Sequence, residues 1–503
     1  MKFLDRRMQV ISSGLVEKET SQCIRSAFSL ALVALVFLYF FLSGSVANGQ
    51  TFAPVYFRSD SGIAQSKVAL PNNFDSDAKL VWKTELAPGH STPCVIGDSV
   101  FLTTYKADLK QIATVALDRS NGKVRWERVV DTQYIEPVHA TGSPASSSPA
   151  SDGKRVFSFF GSYGLLSYDW DGKLLWDVPM GKFQDEFGAA SSPILVGDKV
   201  IINQDHDINS FITAIDAKSG SILWKSPRDE ATRSYSSPFV LDRNGKKEIL
   251  IAGALQLTAY DPDNGEKLWW YNGISRIVDC TPTVQDGVIY VASWTPGGDS
   301  DSRISMEPFE EALKSFDKNA DKKISREELP AASPVMDRFF RIDLDQDGGL
   351  DSAEWAKHAT VFERAQNVAV ALEPGTKGSL DARYVRWTHS RGLPTVPSSV
   401  VYADVLTMVK DSGIITVLDA NTGKQLHQMR AAGQGNYYGS LVAGDGKVYM
   451  ISEQGIMTVL KAGKETEVLS SHDFGERVMA SPVISDGLIY VRTQSALYCY
   501  KKA

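Results

Sequence analysis

The segment Ala116-Leu-Asp-Arg-Ser-Asn-Gly-Lys-Val-Arg-Trp126 carries the pattern that decides the fold. The same spacing of alanine, aspartate, glycine and tryptophan returns in residues 214–224 and 259–269. An aspartate that bonds its own backbone begins a tight turn, and a glycine adopts the positive φ that such a turn needs. Each segment therefore predicts two antiparallel strands joined by a tight turn, with its tryptophan packed on a neighbouring unit.

Two further copies depart from this spacing. The copy from Ser167 to Trp176 has a turn one residue shorter, and the copy from Val417 ends at His427 where a tryptophan is expected. We interpret His427 as a packing residue in that position. A second pattern precedes each copy: Ser/Thr-Pro, an apolar pair, a turn containing glycine, and an apolar strand. Its prolines at 149, 193, 238 and 282 lie about 44 residues apart, the length of a four-stranded propeller blade.

Eight such units are counted, and the last, from Ser481 to Tyr500, lacks a tryptophan strand. The spare segment Leu80-Val-Trp-Lys83 precedes the first unit and can complete the last blade, which removes the open sheet edges. The sequence predicts an all-β, eight-bladed β-propeller of four-stranded blades with a small α-helical insertion. A seven-bladed ring is the alternative, because the unit at Ser440 is degenerate.

From about Leu80 to Tyr500 these repeats resemble the quinoprotein-type β-propeller repeat, which is also called PQQ-like or BamB-like. The resemblance implies the propeller fold, and it is not specific to quinone chemistry.

The interval from Pro282 to Ser398 is longer than the others by roughly 70 residues. The predicted organisation is therefore a propeller over residues 80–296 and 379–503, with an insertion at 297–378 that interrupts the fifth blade.

Two segments of the insertion resemble EF-hand loops. Calcium takes six to eight hard oxygen ligands, which a 12-residue loop supplies from positions 1, 3, 5, 7, 9 and 12. Loop one offers Asp317, Asn319, Asp321, the Lys323 carbonyl, Ser325 and Glu328; loop two offers Asp343, Asp345, Asp347, the Gly349 carbonyl, Asp351 and Glu354. Loop two has Gly348 at the sharp turn, whereas loop one has Lys322 there, so we expect loop one to bind calcium more weakly.

The N-terminus carries an export signal. Basic residues precede an apolar run from Ala27 to Leu42, and Ser45-Val-Ala47 supplies the small residues of a cleavage site. Residues 1–47 are therefore either a cleaved signal peptide or an uncleaved inner-membrane anchor, and residues 48–79 form an N-terminal extension. We expect the protein in the periplasm or cell envelope, with membrane contact only through an uncleaved anchor.

The net charge and the cysteine content exclude some classes of function and predict the state of the thiols. The net charge of −7 argues against nucleic-acid binding. Removal of Cys23 with the signal leaves Cys94, Cys280 and Cys499, which we expect to be buried thiols, with one disulfide among them as the alternative.

Three functions remain. The sequence favours a non-catalytic calcium-binding scaffold with an unidentified protein partner, similar to the propeller of the outer-membrane assembly machinery, although this chain lacks the lipoprotein cysteine. A PQQ-dependent dehydrogenase is disfavoured because an adjacent Cys-Cys pair is missing, so PQQ is not expected. A carbohydrate-binding propeller is the other alternative, with axis-facing residues at 233–235 and 436–438. No motif for a hydrolase, metalloprotease or phosphate loop is present.

Overall fold

The computed structural model describes residues 52–132, 134–299 and 306–503. These residues form eight sheets arranged as propeller blades, seven antiparallel with four strands and one mixed with five, plus a two-stranded ribbon. The prediction of eight blades is confirmed, and the seven-bladed alternative is not. The predicted signal or anchor at 1–47 lies outside the described residues. Within the described part, no helix is long and apolar enough to cross a bilayer.

Strand β1 (Ala78–Glu85) precedes the first complete blade. Blade one contains β2 (Cys94–Ile96), β3 (Ser99–Lys106), β4 (Gln111–Asp118) and β5 (Val124–Asp131). Blade two contains β6 (Ala150–Ser151), β7 (Arg155–Phe159), β8 (Leu165–Asp169) and β9 (Leu174–Val178). Blade three contains β10 (Ile194–Val196), β11 (Lys199–Gln204), β12 (Phe211–Asp216) and β13 (Ile222–Pro227). Blade four contains β14 (Phe239–Arg243), β15 (Lys246–Gly253), β16 (Gln256–Tyr260) and β17 (Lys267–Asn272).

Blade five is interrupted by a helical region with its own short strands. It contains β18 (Thr283–Gln285), β19 (Val288–Ser293), β22 (Val368–Leu372) and β24 (Val385–His389). The helical region contains β20 (Ile324–Ser325), β21 (Gly349–Leu350), α1 (Phe309–Phe316), α2 (Phe339–Ile342) and α3 (Ser352–Arg364). Strand β23 (Gly378–Leu380) pairs in parallel with β17 and adds a fifth strand to blade four.

The remaining strands complete the circle. Blade six contains β25 (Val400–Tyr402), β26 (Val405–Lys410), β27 (Ile414–Asp419) and β28 (Gln425–Arg430). Blade seven contains β29 (Val442–Gly444), β30 (Lys447–Ile451), β31 (Ile456–Lys461) and β32 (Val468–Asp473). Blade eight contains β33 (Val483–Ser485), β34 (Leu488–Arg492) and β35 (Ala496–Lys502), and β1 pairs with β35 as its outer strand. The predicted closure by residues 80–83 is therefore confirmed.

The repeated tryptophans join adjacent blades. Their indole N–H groups donate to backbone carbonyls of the next blade: Trp82 to Arg119, Trp126 to Trp170, Trp176 to Ala217, Trp224 to Pro262 and Trp387 to Ala420. His427 Nε2 lies 2.6 Å from the Lys464 carbonyl oxygen and so takes the place of an indole. Trp269 donates to the carboxylate of Glu248 instead, because residues 373–384 replace the tight turn of blade five. The predicted packing of tryptophan on a neighbouring unit is thus confirmed.

The Ser/Thr-Pro pattern has a structural role of its own. The backbone amides at seven of the eight positions donate to the hydroxyl of the next blade, over 2.8–3.2 Å: Thr92 to Ser148, Ser148 to Ser192, Ser192 to Ser237, Thr281 to Ser398, Ser398 to Ser440, Ser440 to Ser481, and Ser481 to Thr92. We call this set the hydroxyl ring. It circles the propeller axis, and the buried hydroxyl of Thr281, between blades four and five, has no partner among the described residues.

The N-terminal extension crosses one face of the propeller. In residues 52–77, here called the plug segment, Val55 pairs with Ser151 and Ile63 pairs with Ala443. The buried Arg58 donates to the carbonyls of Leu441 and Ser399, at 2.9 and 2.7 Å. One residue therefore links blades six and seven, and the plug segment closes that end of the axis.

The helical region leaves the opposite face. In an antiparallel four-stranded blade, the connection from strand two to strand three and the connection to the next blade emerge on the same side. The chain leaves blade five after β19 and re-enters it at β22. The helical region together with its two ends therefore spans residues 294–367, and we call this segment the helical insertion. Strand β22 lies inside the range 297–378 that the sequence analysis assigned to the insertion. The β-branched and small residues of this strand fill the blade core, so the helical insertion is shorter than the sequence predicted.

Candidate functional site

The helical insertion has its own small core. Eight buried side chains pack together there, from Ala312, Ile324, Leu329, Val335, Phe339, Ile342, Leu350 and Trp355. The two loop segments face each other through the ribbon of β20 and β21, in which Ile324 pairs with Leu350. This pairing places residues 317–328 and 343–354 side by side, each loop following a helical turn.

In the first loop, the acid side chains are bound by backbone amides. Glu328 accepts from the amides of Lys318 and Ser325, both at 2.8 Å. Asp317 accepts from the amides of Ala320 and Lys322, at 2.7 and 3.0 Å. The amide bonds to Glu328, that from Ser325 first, lower the pKa of its carboxyl to about 2. The acids of this loop are therefore well satisfied by the loop itself.

In the second loop, three carboxylates converge. Oxygens of Asp343, Asp345 and Glu354 lie within 4.8 Å of one another, and Asp343 and Glu354 are buried. Among the described residues, no other three acids bring their carboxylate oxygens this close together, and the acids of the first loop do not. Burial raises the pKa of Asp343 and of Glu354, and neighbouring Asp345 adds to both shifts. Glu354 accepts from the amides of Leu344 and Asp351, at 2.6 and 3.0 Å, in the same way as Glu328 does in the first loop. The second loop therefore differs in the burial and crowding of its carboxylates, not in their backbone partners.

The other predicted ligands of the second loop lie around this group. Asp351 caps α3 by accepting from the amides of Ala353 and Glu354, at 2.8 and 2.9 Å. Asp347 forms an ion pair with the ammonium group of Lys323, which comes from the first loop. Gly348 has φ 91°, the conformation expected at the sharp turn. Lys322 adopts φ 68° at the same position of the first loop, where a side chain adds strain.

The second loop also touches the propeller. The side-chain amide of Gln184 donates to the carbonyl of Leu344, directly after Asp343. Arg341, at the end of α2, pairs with Glu186 at 3.3 Å. The exposed ring of Phe340 lies under the guanidinium of Arg233, 5.8 Å from its centroid. Residues before and inside the second loop therefore contact the connections that follow blades two and three.

Those connections surround a cavity on the propeller axis. Its volume is about 460 Å³. Phe57 of the plug segment lies at its closed end, the seven bonded residues of the hydroxyl ring line its wall, and Arg341 of the helical insertion lines its rim. We call this space the axial cavity. Tyr235, Asn436 and Tyr438, which the sequence analysis proposed as axis-facing, line it.

The half-buried Asp279 lines the axial cavity, and the buried Asp185 is bonded to Tyr235, another lining residue. Asp185 accepts a 2.6 Å hydrogen bond from the Tyr235 hydroxyl through Oδ1, and its Oδ2 has no partner among the described residues. Burial raises the pKa of Asp185 to about 7, and burial with neighbouring Asp185 raises that of Asp279 to about 7. One carboxyl in the wall and one bonded to the wall are therefore close neighbours, and both have raised pKa values.

The sequence did not predict several features of the site. Arg58 gave no sequence signal, because its partners lie more than 300 residues away in the chain. The Ser/Thr-Pro pattern was noticed, but its hydroxyls were not recognised as a ring that lines a cavity. Cys94, Cys280 and Cys499 are free and buried, as the sequence predicted. They do not take part in the site.

Comparisons with known proteins agree with the fold. A family model described as outer membrane protein assembly factor BamB matches residues 66–293 and 347–503, well over half of the chain. A curated relative, outer membrane protein assembly factor BamB of Yersinia pestis, is 25% identical over 245 residues. That match covers 42% of this chain and 56% of the relative, so the chain matches little more than half of the relative's length.

Solved structures show the same architecture. BamB from Moraxella catarrhalis has a TM-score of 0.53 at 12% identity, covering 84% of this chain and 97% of that one. Quinohemoprotein alcohol dehydrogenase from Comamonas testosteroni has a TM-score of 0.50 at 12% identity, covering 85% and 77%. At these identities the likeness shows the fold alone.

Proposed function

Because the chain belongs to the outer membrane protein assembly factor BamB family, we propose that it is an exported propeller that binds calcium and acts as a non-catalytic scaffold for a protein partner in the cell envelope. The convergence of Asp343, Asp345 and Glu354 is the observation that carries the calcium proposal. The family name supports the envelope location, together with the signal or anchor predicted at 1–47.

The second loop fits an EF-hand calcium site in its chemistry. Calcium prefers carboxylate and carbonyl oxygens, and such loops supply a glutamate at position 12. Glu354 occupies that position, with Asp343, Asp345, Asp347 and Asp351 at the other side-chain positions. Burial of like charges is costly unless a cation or protons compensate it, so this loop has a physical reason to bind a divalent ion.

The first loop, with Asp317, Asn319, Asp321, the Lys323 carbonyl, Ser325 and Glu328, is proposed as the weaker calcium site. Lys322 stands at its sharp turn with φ 68°, where the second loop has Gly348, so the first loop carries backbone strain and a positive charge beside the ion position. Lys323 also pairs with Asp347, so the ammonium group competes with calcium for a ligand of the second loop. This ion pair would have to break when Asp347 binds calcium, so it couples the two loops.

The helical insertion is the part of the scaffold where calcium would adjust a contact. Leu344 and Arg341 hold the propeller through Gln184 and Glu186, directly beside the proposed ligands. A change in the second loop on calcium binding would therefore alter the surface of this face. No residue of the described chain is proposed as catalytic.

Calorimetric titration tests the calcium proposal. Calcium should bind the wild-type protein, and Glu354→Gln should weaken the tighter site at least tenfold, because one bidentate ligand loses its charge. Glu328→Gln should affect only the weaker site. Glu465→Gln, on a side chain that is 90% exposed in blade seven, is the matched control. Identical titrations of wild type and Glu354→Gln would show that the ligand assignment is wrong.

A further inference from the structure

The axial cavity has unused hydrogen-bonding capacity of both kinds. Each bonded hydroxyl of the hydroxyl ring accepts from a backbone amide, and its own proton has no acceptor among the described residues. A hydroxyl carries one donor and two acceptor sites, so seven donors face this space or its water. Thr295, which is 4% exposed and lines the cavity, has a hydroxyl with no partner in the described chain.

Acceptors without full partners line the same space. Asp279 has no hydrogen-bond donor among the described residues. Within the described part of the chain, Asp411 accepts from the Thr395 hydroxyl and the Tyr437 amide alone, at 2.8 and 3.1 Å, and a carboxylate can accept about four such bonds. The wall therefore offers acceptors to a ligand that donates, beside donors to a ligand that accepts.

The charged residues that line the axial cavity nearly balance, so its net charge is small. Glu186 is already paired with Arg341 and Arg233, at 3.3 and 3.7 Å. Asp279 and Asp411 remain on the acidic side, and Arg276 uses only its Nε, which donates to the Pro296 carbonyl at 2.7 Å. A strongly charged ligand would meet a like charge on part of this wall. An uncharged ligand whose groups both donate and accept would not.

Size and apolar surface restrict the ligand further. A volume of about 460 Å³ falls within the range of small-molecule pockets. Phe187, Tyr235 and Tyr438 add aromatic surface to the wall, against which the C–H faces of a sugar ring can pack. The plug segment closes the far end, so the ligand enters from the face that carries the helical insertion.

We propose that the axial cavity binds an uncharged polyhydroxylated ligand, of the size of a disaccharide or the end unit of a longer glycan. Asp279 and Asp411 accept from its hydroxyl groups, the hydroxyl ring donates to its oxygens, and Tyr438 packs on a sugar face. This binding is a function beyond the scaffold role, and it does not require calcium.

Ligand-observed saturation-transfer NMR on the whole protein tests this site. The probes are maltose, cellobiose and N,N′-diacetylchitobiose, with sodium butyrate and butylammonium chloride as charged probes. At least one disaccharide should bind with a Kd at or below about 1 mM. Asp279→Asn and Tyr438→Ala should each weaken it at least tenfold, and Glu465→Gln should not.

The outcomes separate this proposal from the calcium proposal. Each titration is repeated with calcium and with a chelator, and Glu354→Gln should leave sugar binding unchanged. Circular dichroism and thermal midpoints must show that both cavity variants fold. The proposal is overturned if no disaccharide binds the folded wild type, if both cavity variants bind as the wild type does, or if a charged probe displaces the sugar.

Discussion

Gly122 shows at the scale of one residue why the turn pattern is so regular. Its φ is 73°, and a Cβ at this position would lie 2.5 Å from the ring of Trp82 in the preceding blade. The glycine therefore serves two purposes, the left-handed turn and the space for an indole. The same close approach recurs at Gly172, Gly220, Gly265 and Gly423.

A pair of substitutions separates these two purposes. Gly287 has φ 77°, but a Cβ there would meet nothing within 4 Å. Gly287→Ala should cost about 1 kcal/mol of unfolding free energy, from backbone strain alone. Gly122→Ala should lower the free energy of unfolding by a further ~1–3 kcal/mol, because the methyl group collides with Trp82. Denaturant melts measure both, and equal losses would show that the indole contact adds nothing.

The raised pKa of Asp279, about 7, makes stability depend on pH. Between pH 4 and 7 the folded chain binds more protons at this carboxyl than the unfolded chain, whose value is 3.8. The free energy of unfolding therefore falls as pH rises through this window. Asp279→Asn removes the ionisation, so it should stabilise the protein by about 4 kcal/mol at pH 8 and little at pH 4.

Melts at both pH values check this expectation. The groups around Asp279 include Asp185, Tyr235 and Arg233, which the substitution leaves in place. Thr295→Val, at another residue that lines the cavity, is the control; it removes no ionisable group and should give the same difference at both pH values. A pH-independent effect of Asp279→Asn would contradict the assignment of this carboxyl.

At the scale of elements, the helical insertion is a connection between two neighbouring strands of blade five. Its ends lie together because Asn367 bonds both the amide and the carbonyl of Thr295, each at 3.0 Å. The blade therefore needs no part of the insertion to join β19 to β22. Strand β22 itself is buried at every residue and belongs to the core.

Removal of the helices should leave a folded propeller. Replacement of residues 300–364 by Gly-Ser should change the thermal midpoint by only a few degrees and abolish calcium binding, because both loops are lost. The matched control removes residues 300–378, which includes β22, and should not fold, because the blade loses an inner strand. A failure of the shorter deletion to fold would show that the insertion is part of the propeller core.

At the scale of the whole molecule, the ring is closed by β1 on β35. These strands are paired over most of their length, from Ala78 with Lys502 to Glu85 with Ala496. Trp82 then packs on blade one, so the first and last blades are joined by both hydrogen bonds and apolar contact. Arg58 and the plug segment add links across the other blades.

A chain that begins at residue 86 should therefore be much less stable than one that begins at residue 78, which lacks the plug segment but keeps β1. The loss of β1 exposes the edge of β35 and the apolar surface between blades eight and one. We expect a lower thermal midpoint and concentration-dependent association by light scattering. A monomeric product with an unchanged midpoint would mean that closure contributes little to the ring.

The sequence by itself determined the number of blades and the positions of the two loops, because both depend on spacing between residues near in the chain. It also implied the closure by residues 80–83, because the repeats leave one spare strand at the start and one missing strand at the end. Only the tertiary structure decided that β22 belongs to blade five, that Arg58 closes the axis and that the Ser/Thr-Pro hydroxyls form a ring around a cavity. These features join residues far apart in the chain. Local propensity and periodicity carry no information about such contacts until the blades close into a circle.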